Sequence, residues 1–296
     1  MKASKHGTAN LRCVTLDIGP QTGEHSCATV KGVNVENATI NADALPDRGG
    51  RQHTRWLGKQ SDHWFYPSMA ASCLIISVAS FAPAIIYPEH RLGSSSWLVA
   101  THGGLYFLWL IVFLSQTLLI RQGSYRTHRQ LGTASTILAT TMVIVGYATS
   151  IAMTRRGFDF SGDLDPRHDP LGPVNQMIFP LLDIAEFASL VGAGYALRRR
   201  SDYHKRLMLF ATLALLPAPF AHVVGHVPLL KAHGTVVLIP IFFSLIASAV
   251  YDLGAFRKVH PVSLYLGVGM FVLDNLCATV IGHSALWSRV AQKLIA

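Results

Sequence analysis

The chain has 296 residues, half of them hydrophobic and only 14% charged, a balance that excludes an ordinary water-soluble domain. Its 25 basic and 16 acidic residues leave a net charge of +9. The basic residues stand in short runs beside apolar segments, so the excess points to lipid head groups and not to nucleic acid.

Residues 1–64 are polar and rich in Gly, Asn, Thr and Asp, with no apolar core before residue 65. Such a segment predicts a disordered tail and no cleavable signal peptide. Seven apolar runs come next, at about 65–87, 96–120, 132–153, 176–197, 207–228, 234–253 and 261–283. Each approaches the roughly 20 residues that cross a bilayer as a helix. Hydrocarbon offers no partner to free backbone groups, so residues 65–285 are predicted to form an all-α, polytopic transmembrane bundle. Residues 286–296, the end of "SALWSRVAQKLIA", read as a short amphipathic segment at the membrane surface.

Basic residues alternate along the loops. Arg121, Arg126 and Arg129 follow the second run; Arg198, Arg199, Arg200, Lys205 and Arg206 follow the fourth; Arg257 and Lys258 follow the sixth. The other loops hold Arg91, Lys231, or arginines offset by aspartates. The positive-inside rule then sets the N-terminus in the cytoplasm and the C-terminus outside. On the same rule Arg129, Lys205 and Arg206 are expected to face lipid. Cys13 and Cys27 fall in the tail and Cys73 and Cys277 in apolar runs, without CxxC spacing, so no disulfide framework is expected.

Ionisable residues inside a bilayer are costly and usually meet a partner or a cavity. Sorted by depth, they gather in the outer half: His102, Asp183 with Glu186 one turn on, His222 with His226, Asp274 near mid-span, and His283 at an outer end. Pro217 and Pro219 precede the histidine pair in "LLPAPFAHVVGH" and are expected to kink that helix. His222 and His226, four apart, share a helix face. With His102 they suit axial ligation of a b-type haem, His102 and His222 being the preferred pair. The same histidines with Asp183 or Glu186 would also suit zinc or another divalent ion. A proton or substrate path, or a purely structural hydrogen-bonding role, uses the same groups. His128, His204 and His260 open three later helices at the inner face. They read foremost as helix caps or anchors, and otherwise as ligands of an inner cofactor. The loop "DFSGDLDPRHDPLGP", with Asp163, Asp165 and Asp169, lacks the glycine and glutamate of a calcium-binding loop and reads as a solvated outer loop. No P-loop, dinucleotide fingerprint or nucleophile elbow is present.

The segments "THGGLYFLWLIVFLSQTLL", "HRQLGTAS", "RRRSDYHKRLMLFATLALL" and "VHPV" resemble those of uncharacterised bacterial multi-span inner-membrane proteins, over roughly residues 65–285. The chain also looks loosely like two-haem b-type membrane cytochromes. That likeness implies haem between histidine pairs, electron transfer in the inner membrane and redox subunits as partners alongside lipid. A further likeness is to seven-helix zinc hydrolases that pair an intramembrane aspartate with HxxxH. The remaining expectation is a non-catalytic membrane subunit or assembly partner.

Overall fold

The structure, a computed structural model, describes residues 48–87, 96–157, 171–226 and 239–296. The segment before residue 48 with Cys13 and Cys27, and the loop with Asp163, Asp165 and Asp169, lie outside the described residues. The chain divides into two units after Arg48, and the larger, Gly49–Ala296, holds the bundle. Among the described residues there is no strand. The helices are α1 (Arg48–Ile86), α2 (Trp97–Arg121), α3 (Tyr125–Arg156), α4 (Gly172–Gln176), α5 (Ile178–Ala196), α6 (Ser201–Leu213), α7 (Pro217–His226), α8 (Ile239–Phe256), α9 (Pro261–Leu276) and α10 (Ala285–Ile295). A π-helical turn, Cys277–Ile281, continues α9. Helical structure thus begins at Arg48, ahead of the first apolar run.

Five helical stretches are long and apolar enough to cross a membrane: Asp62–Pro83, Trp97–Arg121, Tyr125–Arg156, Gly172–Ala196 and Pro261–Ile281. Phe242–Phe256 is a shorter apolar helix. The fifth apolar run is not one helix. It breaks between α6 and α7 because Pro217 and Pro219 lack N–H donors and disfavour helical backbone in the residue ahead of them. The carbonyls stranded at the break are taken up by tight turns, Leu215 N–H donating to Thr212 O at 3.2 Å and Leu216 N–H to Leu213 O at 3.0 Å. The expected kink is therefore a full interruption. Elsewhere local chemistry sets the helix ends. Ser96 caps α2 by accepting from Val99 N, and Gly157, at φ 76°, closes α3 in the left-handed region that glycine tolerates.

The side-chain distribution is inside-out. Ile75, Ile137, Ile144, Phe243, Val250 and Val272 are exposed, whereas Ser77, Ser80, Thr149, Ser150, Thr154, Ser244, Ser248 and Ser263 are buried. Large apolar groups facing outward and small hydroxyls facing inward suit a lipid surround, where close helix approach replaces hydrophobic exclusion. The hydroxyls of α3 solve their own burial by donating back along the helix. Thr149 Oγ1 reaches Val145 O at 2.7 Å, Ser150 Oγ reaches Gly146 O at 2.9 Å, and Thr154 Oγ1 reaches Ser150 O at 2.9 Å. Such bonds let α3, rich in threonine and serine, run through the bundle with these hydroxyls satisfied.

The bundle packs α2 against α3, α3 against α5, α5 against α6, α6 against α9, and α9 against α8. At its centre Trp109 meets Phe187 edge-on at 4.9 Å and donates Nε1–H to Thr212 Oγ1 at 3.2 Å. The α8–α9 seam depends on Gly267, where an added Cβ would fall 2.4 Å from Leu245 Cδ1 and 3.0 Å from Leu245 Cβ. Gly267→Ala is expected to destabilise the chain by about 1–3 kcal/mol through overpacking. Gly269→Ala, on the same helix but with nothing within 4 Å of the added Cβ, should not. Melting of the two detergent-purified variants checks this, and equal loss in both would contradict the packing.

Candidate functional site

Two polar clusters occupy the bundle. The first joins α2, α5 and α9. Asp183 and Glu186, three residues apart on α5, share a helix face. Both lie within electrostatic range of Asp274 on α9. Asp274 is buried and its Oδ2 has no hydrogen-bond partner. Just beyond it the helix widens into the π turn, where Gly282 N–H donates to Cys277 O at 2.8 Å; turns of this kind frequently mark functional sites. On the other side Tyr106 of α2 lies within range of Asp183 and packs on His102 at 4.4 Å between ring centres. His102 Nδ1 is buried without a partner. The result is a chain of ionisable groups, His102–Tyr106–Asp183–Asp274–Glu186, crossing from α2 to α9.

The histidines expected to form a ligand set divide. His222 is buried against Phe81 at 4.6 Å between ring centres, and Phe81 in turn meets Phe107 at 6.3 Å. His102 lies on the Tyr106 side, within the carboxylate chain. His226 ends α7, with its side chain outside the described residues, and His283 is exposed. Of the alternative metal set, Asp183 and Glu186 are brought together, with Asp274 as their third member. Among the described residues no group of three or more His, Cys, Asp and Glu is arranged to hold a metal ion.

The second cluster lies where α6 leaves the basic loop. Arg206 is buried, 3% exposed, and pairs with Asp252 of α8, which is 0% exposed. Its Nε donates to Ser263 Oγ at 3.1 Å and its Nη1 to Asp202 O at 2.9 Å. The other Asp252 oxygen accepts from His260 N–H at 3.0 Å. Beside this pair Lys205 bridges both oxygens of Asp62 at 2.7 and 2.8 Å, and Tyr251 O–H donates to the same carboxylate. The expectation that Lys205 and Arg206 face lipid is thus corrected. In a low dielectric a cation with a carboxylate in reach is held by it, whatever its place in a basic run. Asp252 and Asp62 are the partners that sequence reasoning missed. Their only signal is a lone acid near the edge of each of two apolar runs.

The histidines at the helix starts also find places. His260 caps α9, its Nδ1 accepting from Val262 N–H at 3.2 Å. Burial, and then the Arg206 guanidinium, hold its pKa below the usual histidine value. His204 Nδ1 lies 2.8 Å from Gly194 O.

Asp252→Ala is expected to cost about 3–5 kcal/mol, because it strands a buried guanidinium. Replacing the pair together, Arg206→Met with Asp252→Leu, should recover most of that loss; thermal unfolding of both variants measures it. A second expectation concerns pH. With its folded pKa depressed, His260 favours the folded state above its ordinary value of about 6.5, and that contribution is lost as pH falls through the lowered value. Melting temperature should therefore drop from pH 7 to pH 5 less steeply in His260→Ala than in the parent chain. No family model, no curated protein and no solved structure matches this chain, so the placement of these side chains is the guide to its function.

Proposed function

We propose that the chain is a seven-span protein of the bacterial inner membrane, N-terminus in the cytoplasm and C-terminus outside, which passes protons along the carboxylate chain of α5 and α9. The seven-span topology rests on the five spans together with Phe242–Phe256 and the interrupted α6–α7 segment. The orientation rests on the basic runs at Arg121–Arg129, Arg198–Arg206 and Arg257–Lys258.

The observation that carries the proton reading is the buried Asp274 carboxylate, one oxygen unpartnered, in electrostatic range of Asp183 and Glu186. Three carboxylates held together in a low dielectric do not ionise together, so protons are shared among them. A group that exchanges a proton without a fixed partner is what a relay requires, and intramembrane Asp, Glu and His chains supply it in pumps and transporters. Tyr106 and His102 extend the chain towards α2 with groups that both donate and accept. A purely structural role would leave every such oxygen paired. Haem-based electron transfer or zinc hydrolysis at His102 and His222 draws less support, because their rings pack on different aromatic partners, Tyr106 and Phe81.

The test is proton flux in liposomes holding the purified full chain and a trapped pH dye, under an imposed potassium diffusion potential. Asp274→Asn and Glu186→Gln are each expected to reduce flux tenfold or more, while Asp202→Asn, on the exposed surface, leaves it unchanged. Flux in Asp274→Asn equal to that of the parent chain would overturn the proposal.

A further inference from the structure

His128 and His204 enter neither cluster, yet the fold treats them alike. Each is the fourth residue of its helix, α3 from Tyr125 and α6 from Ser201. Their ring centres lie 6.3 Å apart with the planes at 81°. The proton on the His204 ring is fixed by backbone. His204 Nδ1 sits 2.8 Å from Gly194 O; a carbonyl only accepts, so Nδ1 carries the hydrogen and Nε2 the lone pair. His128 Nδ1 is buried and has no partner.

We propose that His128 and His204 are paired ligands of a transition-metal centre at the inner membrane surface. Two imidazoles on separate helices, that of His204 with its Nδ1 tied to a main-chain carbonyl, have the outer-shell support that metal-binding histidines use. The spacing agrees, since two metal–imidazole bonds of about 2.0–2.1 Å plus the two ring radii span roughly 6 Å. A further donor is at hand. Gln116 Oε1 is buried and unpartnered, and the Gln116 amide nitrogen lies 3.5 Å from where a Cβ on Gly132, one turn beyond His128, would stand. The Gly194 carbonyl is reachable because α5 and α6 touch there: a Cβ on Gly194 would lie 2.9 Å from Met208 Sδ.

Imidazole nitrogen selects iron, copper, nickel or zinc over magnesium and calcium. The same ligation serves a metal held in a macrocycle, through two axial imidazoles, or a bare ion that also takes the Gln116 oxygen and water. With two imidazoles and one amide the site falls outside any set of three His, Cys, Asp or Glu side chains. It is independent of the carboxylate chain.

The experiment uses the full chain purified in detergent and incubated separately with haemin and with Co(II). A macrocycle-held metal gives a Soret band, with an α-band that sharpens on dithionite reduction. A bare ion gives cobalt ligand-field bands and about one equivalent by elemental analysis. Either result is expected in the parent chain. His128→Gln and His204→Gln, which keep a polar amide at each position, should each lower occupancy tenfold or more, whereas His102→Ala should not. Elution volume and melting temperature establish that each variant is folded, and His128→Ala with His204→Ala provides a second pair. Failure of the parent chain to take up either haemin or Co(II), or equal uptake by folded variants, would overturn the proposal. Loss of metal with proton flux intact separates this site from the carboxylate relay.

Discussion

The buried pairing of Arg206 with Asp252 holds one end of the bundle together. Through one guanidinium and one carboxylate it connects α6 to α8, to Ser263 near the start of α9, and to the backbone that enters α9 at His260. The neighbouring Lys205–Asp62 pair brings in α1, and Tyr251 adds its hydroxyl to the same carboxylate. Burying a charge costs several kcal/mol, and that cost is offset only because nearly every donor and acceptor here has a partner. Specificity comes from that completeness, since a shift in the register of α8 would separate Asp252 from both Arg206 and His260.

The cluster that joins α2, α5 and α9 is built on the opposite principle. The hydroxyls of α3 satisfy themselves along their own helix, but the carboxylates of α5 and α9 face one another without a cation among the described residues. Among the described residues, then, one of these polar clusters is closed by pairing and the other is left open. The difference is physical before it is functional. A closed cluster fixes helix positions, whereas an open one exchanges protons or admits a ligand.

Much of the framework is legible from apolar runs alone, because a span must be helical and about 20 residues long. The proline pair ahead of His222 marks a discontinuity, though proline chemistry does not say whether the helix bends or breaks. Depth along each run groups His102, Asp183, Glu186 and Asp274. Which of them meet depends on helix rotation and neighbour order, which hydropathy does not encode. Depth alone therefore sets His222 beside His102, although Phe81 is its aromatic neighbour. The Arg206–Asp252 pair is hidden for a related reason. Arg206 stands among several basic residues that do face outward, and only the packing of α6 against α8 and α9 distinguishes it.

The π turn at Cys277–Ile281 shifts the phase of the last span. A hydrogen bond closed over five residues inserts one extra position into the helix, which rotates everything beyond it by about 100° relative to an uninterrupted helix. The surface that presents Asp274 towards α5 is thereby decoupled from the surface beyond the turn, where Gly282 packs beside Leu171 at the start of α4. Past that point α10 settles on the same region, Trp287 Nε1–H donating to Asn175 O at 2.9 Å and Arg155 of α3 reaching the Ile295 carbonyl at 2.8 Å. One surplus residue thus lets a single span turn one face to α5 and another to the start of α4.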